Sequence, residues 1–248
     1  MNKYIDHTLL RQGATYDDLH KLCNEAIEYN FAAVCVAPYY VIQAKHLLEE
    51  TNVKVCTVIG FPFGYSSLDT KFSEIEIAIV DGADEIDIVQ NVSLVKDEEW
   101  EELDDEMAEC VGWAKICAEE NNVKIPVIKV ILETGILTNE EIVECCKIYS
   151  NNNRIDFIKT STGFAKEPLS GVEFEENKIN VIKLIKENIP SNIQIKASGG
   201  IRNGLFAEKL IEAGATRLGC SDSVKITQQC MFVDEHIFPT EEDQILGY

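Results

Sequence analysis

Eight short apolar runs recur along this 248-residue chain, beginning near Tyr4, Phe31, Val53, Glu85, Pro126, Asp156, Ile193 and Gly214, and seven are followed by a segment with apolar residues at helical spacing. Runs that are apolar on both faces, alternating with helices, require a parallel sheet covered by helices. Eight such units in about 250 residues fit an α/β closed barrel of the (β/α)8, or TIM, type. The alternative is an open doubly wound sheet, which would favour a G-x-G-x-x-G turn after the first strand, and none is present. No Pro/Ser-rich linker interrupts the alternation, so residues 1–248 read as a single domain, with a tail from about residue 227 closing or covering the barrel. Thr15 ahead of Asp17 and Asp18 marks a helix start, and Thr138 with Glu141 has the spacing of a capping box. Phe164 to Glu176 reads as an extended polar loop before a helix at Asn177–Asn188.

Charge narrows the partners. Lys and Arg total 22 against 43 Asp and Glu, a net charge of −21, which repels nucleic acid and anionic membranes. An anionic metabolite remains compatible, because glycine-loop amides and one or two lysines can hold a phosphate locally whatever the global sign. The start Met1-Asn2-Lys3-Tyr4-Ile5-Asp6 lacks an apolar signal core, and no run of about 18 apolar residues occurs, so a cytoplasmic location is expected. The nine cysteines read as reduced thiols filling core space, since Cys35, Cys56 and Cys220 sit in strand-like runs and Cys145-Cys146 are adjacent. His7, His20, His46 and His236 show no metal-ligand spacing, and no metal site is expected. Trp100 and Trp113 read as anchors of a long acidic helix.

The chemistry gathers where strands end. In a barrel the C-terminal strand ends face the active site, and there the chain has Asp6 and Thr8, Asp87 and Asn91, Lys129 and Glu133, Lys159, and Lys196 with Ser198. Lys159 and Lys196 end successive strands and each is followed by small residues and glycine. A free lysine amine has a pKa of about 10.4, and about 4 to 5 kcal/mol of differential destabilisation of its ammonium brings that to about 7. Partial burial beside a second ammonium can supply this, so the pair reads as a nucleophile and the cation that tunes it, with Asp87 as proton shuttle. Lys129 is expected to pair with Glu133, and Cys35 to fill core. Gly199-Gly200 and Gly219-Cys220-Ser221 lie where barrels often hold phosphate.

Lys159-Thr160-Ser161-Thr162-Gly163, Lys196-Ala197-Ser198-Gly199-Gly200-Ile201-Arg202 and Ala83-Asp84-Glu85-Ile86-Asp87 together resemble the deoxyribose-phosphate aldolase family, class I Schiff-base lyases of deoxynucleoside breakdown. Asp6-His7-Thr8-Leu9-Leu10, Val34-Cys35-Val36, Gly60-Phe61-Pro62 and Glu133-Thr134-Gly135 extend the likeness over nearly the whole chain. The resemblance implies reversible cleavage of 2-deoxy-D-ribose 5-phosphate to D-glyceraldehyde 3-phosphate and acetaldehyde. It implies Lys159 as Schiff-base nucleophile, Lys196 as the group that lowers its pKa, Asp87 moving protons through water, and Asp6 extending that relay. It further implies Thr8 against a substrate hydroxyl and amides near Gly163, Gly199, Gly200 and Ser221 on the phosphate, with no cofactor and a homodimer or higher homo-oligomer. Another Schiff-base sugar-phosphate lyase or transferase is the alternative. Two departures stand out: Asp222 follows Ser221 where a small residue is usual, and Phe164–Glu176 is long and acidic. Tyr248 ends a tail that could reach the site.

Overall fold

The computed structural model describes residues 1–151, 154–166 and 168–237, the last seven of these as backbone. Its strands are β1 (Ile5–Leu9), β2 (Ala33–Val36), β3 (Lys54–Ile59), β4 (Glu85–Val89), β5 (Val127–Ile131), β6 (Phe157–Lys159), β7 (Gln194–Ser198) and β8 (Arg217–Cys220). Each pairs in parallel with the next, and β8 returns to β1 through Asp6↔Gly219, closing the barrel.

Helices α1 (Tyr16–Glu28), α2 (Val41–Leu47), α3 (Leu68–Val80), α4 (Val92–Lys96), α5 (Trp100–Glu120), α6 (Asn139–Ser150), α7 (Gly171–Asn188), α8 (Gly204–Ala213) and α9 (Ser223–Ile237) follow the strands in order. The caps form as the sequence suggests: Thr15 makes a capping box with Asp18, and Thr138 one with Glu141. α5 packs along α3, and Trp113 stacks on Phe72 at 5.4 Å while its ring N–H donates to the Phe72 carbonyl at 3.1 Å. α7 starts six residues earlier than expected, because Phe174, Lys178, Val181, Ile182 and Ile185 already form one inward face. Much of the anticipated loop is therefore helix. α9 likewise begins at Ser223 rather than Thr227, with the Ser223 hydroxyl on the Cys220 carbonyl at 2.9 Å. Tyr248 and the rest of the tail beyond residue 237 lie outside the described residues.

The main apolar core lies between sheet and helices, with Leu19, Val34, Ile75, Ile86, Leu103 and Ile182 among its members. Inside the barrel the filling is different. Cys35, Cys56 and Val58 form a small apolar cluster of their own, and most of the remaining interior is occupied by charged side chains.

Candidate active site

Strand alternation and barrel register bring the charges together. Asp6 on β1, Glu85 and Asp87 on β4, Lys129 on β5, Lys159 on β6 and Lys196 on β7 are all buried, none more than 5% exposed. Lys159 and Lys196 are register partners, as are Asp87 and Lys129, so neighbours across the sheet share a layer. Asp87 is the hub: one carboxylate oxygen, Oδ2, lies 2.8 Å from both Lys159 Nζ and Lys196 Nζ, and Oδ1 accepts from Lys129 Nζ at 2.8 Å. Lys196 also meets Asp6 at 2.5 Å, and Lys129 meets Glu85 at 2.6 Å. Arg217 on β8 completes the array by pairing with Asp6 and, at 3.1 Å, with Glu85.

Burial alone would push both carboxyls up, since it penalises the charged form. At Asp87 the ammonium groups of Lys129, Lys159 and Lys196 outweigh it and hold the group well below the usual carboxylate range. At Asp6, Lys196 and Arg217 outweigh burial and bring the pKa to about 2. Burial favours a neutral amine at Lys196, but Asp6 and Asp87 prevail and raise its pKa. Burial likewise opposes charge at Lys129, where Asp87 is the largest of the groups that raise it. Both carboxylates and these two lysines are thus ionised at neutral pH. The array holds four cationic side chains, Lys129, Lys159, Lys196 and Arg217, against three carboxylates, Asp6, Glu85 and Asp87.

Above the charged layer a cleft of about 450 Å³ opens between the ends of β6, β7, β8 and β1. Thr8, Gly163, Gly199, Gly200 and Ser221 all line it, the full set read from the sequence as substrate contacts. Gly199 and Gly200 have φ of +81° and +72°, conformations that glycine adopts without strain, and a Cβ on Gly199 would stand 3.2 Å from Ser161 Cβ. Gly219 is small for another reason, since a Cβ there would meet Lys196 Cε at 3.2 Å. The Thr8 hydroxyl donates to the Asp6 carbonyl at 2.9 Å, within β1. Asp222 is exposed and does not line the cleft, although its neighbour Ser221 does. Lys159 is 3% exposed and is not among the residues that line the cleft.

Several residues were not legible beforehand. Lys129 pairs with Asp87 and Glu85, not with Glu133; the Glu133 carboxylate instead accepts from the Thr162 hydroxyl and, at 3.3 Å, from the Thr162 amide, bracing the loop after β6. Asp87 touches both lysines directly, at 2.8 Å each. Arg217 and Glu85 were passed over although both fall on inward strand positions. Lys178 on α7 lies behind the glycine loop, with Nζ 3.0 Å from Ser161 Oγ and 3.1 Å from the Ser198 carbonyl. Arg202, exposed at the cleft, has no carboxylate partner among the described residues. His7 bonds through Nε2 to Glu25 at 2.8 Å, while His20 and His46 are exposed; the His236 side chain lies outside the described residues.

The chain as a whole resembles known proteins. Residues 1–221 match the model of the DeoC/LacD family of aldolases. A protein of Caldicellulosiruptor saccharolyticus named deoxyribose-phosphate aldolase is 43% identical over 227 residues, covering 92% of this chain and 96% of its own. A Mesoplasma florum protein named deoxyribose-phosphate aldolase 1 is 43% identical over 226 residues, with 91% and 94% covered. Among solved structures, the deoxyribose phosphate aldolase of Aeropyrum pernix superposes with a TM-score of 0.78 at 30% identity, covering 94% of this chain and 91% of that one. With its barrel matched by a solved aldolase structure and nearly its full length matched by the family model and by these proteins, this chain belongs to the DeoC/LacD family of aldolases.

Proposed function

We propose that the chain is a class I aldolase that reversibly cleaves 2-deoxy-D-ribose 5-phosphate into D-glyceraldehyde 3-phosphate and acetaldehyde, in deoxyribonucleotide catabolism. The observation that carries this reading is the single Asp87 oxygen 2.8 Å from two lysine nitrogens, a carboxylate able to pass a proton between amine and substrate.

Lys159 is the nucleophile. The buried array has one cation more than it has carboxylates, and that surplus disappears when one lysine is neutral. Lys129 and Lys196 each hold two carboxylates, whereas Lys159 holds one and shares it with Lys196. Lys159 is therefore the ammonium whose proton leaves with the least ion pairing forfeited. Its neutral amine adds to the substrate aldehyde carbon, and the carbinolamine loses water to a protonated imine. Asp87 carries the protons of both steps. The imine then accepts the electron pair of the breaking carbon–carbon bond as the neighbouring hydroxyl gives up its proton. Protonation of the resulting enamine carbon and hydrolysis release acetaldehyde and restore Lys159. The imine is the electron sink, so the reaction as proposed needs neither metal nor organic cofactor.

Lys196, held between Asp6 and Asp87, keeps positive charge beside the imine nitrogen, and Asp6 extends the proton path. The amides of Gly163, Gly199, Gly200 and Ser221, with Arg202, grip the phosphate, and Thr8 contacts a sugar hydroxyl. The whole chain works as one domain in the cytoplasm, and no described helix is long and apolar enough to cross a membrane. The Aeropyrum pernix relative is described as tetrameric, and we expect this chain also to self-associate, as a homodimer or larger.

The decisive experiment is incubation with acetaldehyde and borohydride followed by peptide mapping. The expected result is one reduced adduct per chain, on Lys159, with Lys159→Ala losing both adduct and cleavage. An adduct elsewhere, or turnover by the variant, overturns the assignment.

A further inference from the structure

Two thiols stand against the hub carboxylate, and the proposed aldolase chemistry uses neither. Cys35 on β2 and Cys56 on β3 are register partners, both fully buried on the interior of the barrel. Their sulfur atoms and an Asp87 oxygen all lie within 4.8 Å of one another. Cys56 Sγ donates to Asp87 Oδ1 at 3.2 Å and accepts from Lys129 Nζ at 3.4 Å. A tetrahedral cation with metal–sulfur bonds of about 2.3 Å spaces its two sulfurs by about 3.8 Å, a separation these neighbours reach with small side-chain rotations.

We infer that Cys35, Cys56 and Asp87 form a binding site for one thiophilic divalent cation, of the zinc and cadmium class, and that occupancy silences the aldolase. Thiolates select soft cations, and they bind deprotonated. Two S–H bonds break, two metal–sulfur bonds form and two protons pass to water, with no electron transferred. The charge of the array is therefore unchanged, which lets a dication enter a region already rich in ammonium groups. The third ligand, Asp87 Oδ1, exchanges Lys129 for the metal, and Lys129 keeps Glu85 at 2.6 Å. A carboxylate held by the metal no longer carries protons for Lys159. This last consequence rests on the role proposed for Asp87, whereas the ligand set does not.

Titration of the full chain with cadmium chloride in thiol-free buffer tests it. The expected result is one cadmium per chain, an ultraviolet thiolate-to-cadmium charge-transfer band, at least tenfold loss of turnover on 2-deoxyribose 5-phosphate, and recovery with a chelator. The double variant Cys35→Ser/Cys56→Ser should lose the band, and its remaining turnover should resist a tenfold higher cadmium concentration. Cadmium-113 NMR of the unsubstituted chain gives a readout independent of any variant's folding, with a shift expected for two sulfur donors completed by oxygen. A full band in the double variant, a shift for one or four sulfurs, or undiminished turnover with the site filled would each overturn the inference. Adduct formation on Lys159 measured without cadmium tests the aldolase reading separately, so failure of one is distinguishable from failure of the other.

Discussion

Replacing Asp87 by Asn separates bond-making at the lysine from the proton transfers around it. The substitution is nearly isosteric but removes the carboxylate that contacts three ammonium groups at 2.8 Å, leaving four cations facing two carboxylates. Breaking a buried ion array in this way costs about 3–5 kcal/mol, a large share of the roughly 5–15 kcal/mol that holds a typical domain folded. For a barrel of this size the thermal midpoint should fall by roughly 6–20 °C. The penalty shrinks if lysines shed protons on folding, so the variant's native state then binds fewer protons than its unfolded chain. Its stability consequently rises with pH from neutrality toward 10. The parent behaves oppositely: Lys129 and Lys196 have raised native pKa values, so their contribution is complete below the usual lysine range and is lost only as pH climbs through the raised values. Because neutral amines are favoured in the variant, acetaldehyde should still form a borohydride-trapped adduct on Lys159. Steady-state cleavage should drop about 10²- to 10⁴-fold, the usual worth of a positioned acid–base group. Turnover within tenfold of the parent, or an adduct lost together with turnover in a folded variant, would refute the assignment of Asp87 as shuttle.

Further outcomes follow from the same geometry. In Lys196→Leu, Asp87 loses one of its three ammonium partners and Lys159 becomes a needed counter-ion, so the pH at which the adduct forms should move up by about one to two units while phosphate binding persists; an unchanged profile refutes this role. Asp6 has its pKa depressed from 3.8 to about 2, so its stabilising share is complete above 3.8 and is lost as pH falls through 2, on the order of 2 kcal/mol seen as a falling denaturation midpoint in that window. Gly199→Ala forces a side chain into a φ of +81° against Ser161, and should raise KM for the phosphorylated sugar several-fold more than it lowers kcat.

The sequence made the barrel legible because strand and helix periods differ, and it made the meeting of Lys159, Lys196 and Asp87 inside it legible because charge within an apolar strand needs a partner. Arg217 escaped for a topological reason. Its partner Asp6 is 211 residues away, and only closure of β8 on β1 makes them neighbours. The expected Lys129–Glu133 pair failed on distance, since four residues along a strand span about 13 Å and put the two groups in different layers. Glu133 also lies past the strand end with φ of +61°, turned toward Thr162. The early start of α7 was hidden by polar residues around Phe174, whose contact with Phe206 at 6.2 Å depends on helices distant in sequence.

The bond between Asp6 and Arg217 has a consequence for the chain as it is made. The first strand carries an acid that stays without its guanidinium until the last strand has been synthesised, and Glu85 waits for the same group. A nascent or truncated chain lacking β8 would leave Asp6 with Lys196 and Glu85 with Lys129, but without the guanidinium that bridges the two acids across the seam, which disfavours a closed seven-strand intermediate. The two ends of the chain are thus joined through one buried guanidinium, and the charge pattern of the interior is complete only when the last strand is in place.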